Sequence, residues 1–126
     1  MYKRQVTPCR VIDTRNPDGP LGGPALAASG GPDRAFTLTG TCGIPAGATS
    51  VSANMTVVSP SAGGFLAIYR GDGALSGTSS INFNAGQTRA NNALLQLALD
   101  SSGTVKVNNT AAGAVQFVLD VNGYFQ

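Results

Sequence analysis

Apolar and polar residues alternate with a period of two along most of this chain. Val51-Ser52-Ala53-Asn54-Met55-Thr56-Val57 alternates without error, so Val51, Ala53, Met55 and Val57 face one side of a strand. Val115, Phe117, Leu119 and Val121 do the same against Gln116, Val118, Asp120 and Asn122. Shorter strands are predicted at Gln5 to Arg15, Phe36 to Thr39, Phe65 to Tyr69, Ser79 to Asn84, Asn91 to Leu99, and around Val105 and Val107. Pro60 with Gly63-Gly64, and Gly71-Asp72-Gly73, punctuate them. Ser101-Ser102-Gly103 reads as a hairpin turn. Ala90 to Leu99 carries good helix formers, but its Asn91-Asn92 start and the turn that follows favour a strand. Leu94 breaks the alternation there, as in a strand covered on both faces. About eight strands at roughly 10–15-residue spacing predict an all-β, two-sheet β-sandwich of jelly-roll type.

The least regular stretch runs over residues 16–34, where nine of 19 residues are Gly or Pro. Loops of that length inside a domain are functional more often than short ones. The competing expectation is an irregular crossover pinned by Leu21 and Leu26. With no internal repeat and no shift in composition, residues 1–126 are expected to form a single domain.

Composition narrows the chemistry. Charged residues are 11% of the chain, against about 25% in an average domain. There is no His, so Ser-His-Asp catalysis, His-ligated metal and a histidine pH switch are excluded. The six acidic residues are all Asp, at 13, 18, 33, 72, 100 and 120, and no two share the short motif of a glycosidase pair. Neither a G-x-S-x-G elbow nor a G-K-[ST] phosphate loop occurs. Asp18-Gly19 and Asp72-Gly73 supply one carboxylate each, too few for calcium. No enzyme activity, no cofactor and no metal are therefore expected. A net charge of +2 with scattered cations is a poor footprint for nucleic acid, and no apolar run is long enough to span a membrane as a helix.

Three groups of residues carry the remaining expectations. Cys9 and Cys42 lack any metal-binding spacing. A disulfide is the better reading and two free buried thiols the other; a disulfide implies an oxidising compartment. The chain opens Met1-Tyr2-Lys3-Arg4-Gln5 without an apolar stretch, so no signal peptide is expected within it. Asp13, Arg15 and Asp120 are expected to form a structural ion pair tying the terminal strands together, with Arg10 as a second candidate partner. Tyr69, Arg70, Asn82 and Asn84 are the candidate sugar-binding residues, because aromatic faces and amides suit hydroxylated rings. A polysaccharide is thus one possible partner. The other is a second copy of the chain. Edge strands are commonly guarded by Lys or Pro, and only Lys3 and Lys106 are available as lysines. The N-terminal segment, Tyr2 to Thr7, could add to such an edge.

Several blocks also resemble a known family. They are Pro8-Cys9-Arg10-Val11-Ile12-Asp13-Thr14-Arg15, Gly40-Thr41-Cys42-Gly43-Ile44-Pro45-Ala46-Gly47-Ala48 and the strand Val51 to Pro60. Asn82-Phe83-Asn84-Ala85-Gly86-Gln87-Thr88, followed by Ala90-Asn91, and Asp120-Val121-Asn122-Gly123-Tyr124-Phe125 continue it in order. Together they resemble small extracellular β modules of surface and secreted proteins in actinobacteria, myxobacteria and related soil bacteria. Such modules are often attached to hydrolases or repeated in tandem, whereas this chain reads as a single module. The resemblance implies a non-catalytic β domain with Cys9 and Cys42 paired. It brings no ligand and no functional residues. The expectation is a structural or adhesive module of an extracellular or cell-surface assembly, acting by self-association into a homo-oligomer or filament. The alternative is a carbohydrate- or cell-wall-binding module.

Overall fold

The computed structural model describes residues 3–75 and 79–126. Eight strands occur among them: β1 (Lys3–Asp13), β2 (Arg34–Thr37), β3 (Ser50–Val58), β4 (Gly64–Arg70), β5 (Ile81–Phe83), β6 (Arg89–Gln96), β7 (Thr104–Asn109) and β8 (Gln116–Phe125). They form two four-stranded antiparallel sheets, ordered β1-β8-β3-β6 and β2-β7-β4-β5. The pairs β1–β8, β2–β7, β3–β6 and β4–β5 nest one inside the next, as if one long hairpin had been wrapped around a core. That nesting is the jelly-roll order.

The alternation decides which faces meet. Val51, Ala53, Met55 and Val57 of β3 are buried, and so are Phe117, Leu119 and Val121 of β8. From the other sheet come Leu66, Ile81, Phe83, Val105, Val107 and Phe36. Phe36 and Phe117 meet across the layers with ring centroids 6.2 Å apart. These side chains belong to one continuous core, so a single hydrophobic layer holds both sheets.

Two expectations change in three dimensions. The residues at 101–103 do turn the chain, with Ser101 and Gly103 at φ 69° and 70°. The turn is not a hairpin, however. It lifts the chain from β6 in one sheet to β7 in the other. Turn chemistry is local and does not reveal which neighbour the next strand will pair with. A Cβ on Gly103 would lie 2.1 Å from Thr39 Oγ1, so that position also needs glycine for space. The second change concerns Leu94. It is 68% exposed on the outward side of β6, so no described residue covers that face of the strand at this position.

The Gly/Pro loop over 16–34 is tied down along its length. Leu26 is buried and bridges Val115, while Leu21 packs partly against the core. The main anchor is Arg34, the first residue of β2. Its guanidinium donates to the carbonyls of Pro24 (2.6 Å), Gly19 (2.8 Å), Gly22 (2.7 Å) and Gly23 (3.2 Å). It also lies 4.7 Å from the centre of the Phe36 ring. Glycines let the backbone fold closely around the cation: a Cβ on Gly23 would come within 2.8 Å of Asn16 O. The crossover expectation thus describes the loop, with Arg34 as the anchor that sequence reasoning missed.

Candidate functional site

Four side-chain groupings stand out, and each begins with a strand register. The first lies where β1 meets β8. Arg10 faces Asp120 across the ladder and donates to both its carboxylate oxygens, at 2.8 and 3.2 Å. Asp13 is buried and receives Arg15 through Nε and Nη2, each at 2.9 Å. The Arg15 backbone N–H adds a third bond at 3.1 Å. Arg15 holds the Asp13 carboxyl below the ordinary carboxylate range, chiefly by side-chain hydrogen bonding and against the opposing effect of burial. Arg15 therefore pairs within its own chain segment, and Arg10 makes the link to Asp120. Arg10 also sits 3.9 Å from Asp13, so the acids and arginines form one cluster. Beside it the Thr14 hydroxyl donates to Gln116 Oε1 at 2.6 Å and accepts the Phe117 N–H at 2.7 Å. Cys9, one residue before Arg10, is disulfide-bonded to Cys42, with Cα atoms 5.8 Å apart. The end of β1 is thus fastened to β8 by charge and to the 38–48 segment by a covalent bond. These contacts secure the first strand and leave neither carboxylate free.

The second grouping involves the candidate sugar-binding residues. Leu66 of β4 is buried inward, so Phe65, Ala67 and Tyr69 face outward and Arg70 faces in. Tyr69 and Arg70 therefore lie on opposite sides of their sheet. The Tyr69 hydroxyl donates to Asp33, and Asn108 donates to the other Asp33 oxygen at 2.7 Å. Burial and the Asp33 carboxylate push the Tyr69 hydroxyl up to about 12. Asn82 stands opposite Phe65 on the outward side. Asn84 lies in the turn after β5, where its N–H is bonded to Gln87 Oε1. The four residues do not make one groove, but Tyr69 and Arg70 both line one cleft, from which Asn82 and Asn84 are absent.

The third grouping is a cleft of about 310 Å³ between β4 and β6, lined in part by Ile68, Tyr69, Arg70, Gly73, Leu94 and Gln96. Arg70 is 3.6 Å from Asp72 at its mouth. The large hydrophobic side chains exposed among the described residues are Leu75 (46%), Leu94 (68%) and Leu99 (63%). All three belong to this flank. Leu94 lines the cleft, the Leu99 N–H is bonded to Asp72 at 2.9 Å, and Leu75 follows the same 71–75 turn.

The fourth feature is the free edge of β6. The sandwich has four edge strands, β1, β6, β2 and β5. Those of β2 and β5 are four and three residues long. The edge of β1 carries Pro8, Lys3, Arg4 and two register shifts. Each of these blunts an edge. Only β6 is both long and regular: eight residues paired to β3 without a shift, with no Pro, Lys or acidic residue. The Leu97 N–H reaches Thr49 O on the β3 side. By the alternation of an antiparallel ladder, the N–H and C=O groups of Ala90, Asn92, Leu94 and Gln96 then point away from β3. None of the described residues pairs with that side of the strand.

Among the described residues, no three His, Cys or acidic side chains gather in a way that could hold a metal ion. No described helix is long and apolar enough to cross a membrane. Compared with models of known protein families and with curated proteins, the chain matches none.

Proposed function

We propose that this domain is a non-catalytic structural module that works by self-association. The observation that carries the reading is the flank formed by β6 and the 71–75 turn. There a long unblunted edge coincides with Leu75, Leu94 and Leu99. An edge of this kind is a template for another strand, and its exposed leucines gain by being covered. The disulfide suits an oxidising, extracellular setting, where such a module would link copies of the chain that carries it. Sedimentation velocity across a wide concentration range tests the proposal. The wild-type chain should associate as concentration rises, and Leu94→Lys should associate less while its circular dichroism stays unchanged. A monomer at every concentration would refute it.

A polysaccharide is the second reading, supported by the outward line of Phe65 and Tyr69 beside Asn82 and Asn108. Its test is retention on insoluble glycan, lost in Tyr69→Ala.

A further inference from the structure

We infer that the partner of β6 is β6 of a second copy, related by a two-fold axis at Ala93, so that the assembly closes as a dimer instead of growing into a filament. The inference rests on the self-association reading and specifies its geometry.

The topology admits two ways to extend the sheet. In an alternating four-stranded sheet the two edge strands run in opposite directions. Translation of a copy would thus set β1 antiparallel to β6 and give an open head-to-tail array. That route needs a competent β1 edge, and β1 is interrupted by Pro8 and by shifts between Gln5 and Cys9 and between Arg10 and Ile12. A two-fold axis perpendicular to the sheet sets β6 antiparallel to itself and needs only the good edge.

One register uses the whole edge. With Ala93 opposite Ala93 of the other copy, Ala90 meets Gln96 and Asn92 meets Leu94. Every outward-pointing backbone group from Ala90 to Gln96 then finds a partner. Three side-chain consequences agree with it. The axial position, where strands approach most closely, is occupied by small alanines. The two Leu94 side chains become diagonal neighbours on the outer face and shield one another. Arg89, which has no acidic partner among the described residues, comes opposite Leu97 of the other copy. Arg89 shares the inward side of β6 with Leu95 and Leu97, because its ladder partner Val57 is buried. At each end of the seam Arg89 therefore lies opposite an apolar Leu97, whose surface suits its aliphatic stem.

The test uses the full chain with two substitutions. In Ala93→Cys the introduced thiols lie across the axis at a spacing of about 4.5 Å between Cα atoms, within reach of a disulfide. Mild oxidation should yield a covalent species of twice the monomer mass, and sedimentation of the unoxidised wild type should stop at the same mass. Asn92→Pro removes an N–H that points away from β3, so the fold should survive while association is lost. If the wild type associates, yet Ala93→Cys fails to cross-link and Asn92→Pro still assembles, the two-fold pairing is wrong and self-association stands by another surface. Wild-type species that keep growing beyond the dimer in sedimentation velocity would also overturn the closure, since one added thiol per chain can record only a pair. A wild-type chain that never associates overturns both proposals.

Discussion

Replacing Arg34 by Met should loosen the loop over residues 16–34 and destabilise the whole domain. The substitution keeps an aliphatic stem of similar reach and removes the guanidinium. Four carbonyl contacts are lost, from Pro24, Gly19, Gly22 and Gly23, at 2.6–3.2 Å. A hydrogen bond to a charged group contributes about 1.5–3 kcal/mol. Three of the four share one nitrogen, and the group is partly exposed, so they count as roughly two full bonds less some solvent compensation. The contact with Phe36 adds about 0.5–1 kcal/mol. The expected loss is about 2–4 kcal/mol, or roughly 8–15 °C in melting temperature for a domain of this size. The loss should reach the global transition because the same loop carries buried Leu26. Thermal unfolding followed by circular dichroism measures it. Amide exchange of Gly19 and Gly23, whose N–H groups bond Gly23 O and Asn16 O, reports the loop itself. Arg34→Lys, which keeps the charge but cannot span four carbonyls, should fall between. A melting temperature within about 2 °C of wild type in Arg34→Met, with unchanged exchange at both glycines, would refute the anchoring role.

Reducing the Cys9–Cys42 bond, which spans 33 residues, should cost about 3–4 kcal/mol in denaturant unfolding compared with and without reductant. Asp13 is held below its ordinary value in the folded state, so its contribution is present above about pH 4 and fades as pH falls through the lowered value. Asp13→Asn should flatten the acid limb of a stability-versus-pH curve, and an unchanged limb would count against the Arg15 pairing. Thr14→Val should lose about 1–3 kcal/mol by stranding the buried Phe117 N–H, read by chemical denaturation. In an ultraviolet pH titration one tyrosine should ionise only near pH 12, and Tyr69→Phe should remove that step.

The alternation of Val51 to Val57 and of Val115 to Val121 made the strands and their buried faces readable without coordinates, because side-chain direction in a strand follows local backbone geometry. Sandwich class followed from strand number and spacing. Two thiols allow only one pairing, but whether Cys9 and Cys42 pair or stay free was open until the fold brought their Cα atoms to 5.8 Å. What tertiary structure decided was every relation between residues distant in sequence. Arg10 rather than Arg15 reaches Asp120 because bulges in β1 set the register against β8. Arg34 cages a loop whose carbonyls lie ten to fifteen residues upstream, and no periodicity encodes that convergence. Tyr69 and Arg70 point to opposite faces of their strand and share only a cleft at its end, while Asn82 and Asn84 lie apart from it, which adjacency in sequence conceals. The open edge of β6 follows from strand order alone: the same residues placed between two other strands would have had both sides paired. Local patterns fix direction and burial one strand at a time, while pairing, register and exposure of an edge depend on the whole sheet.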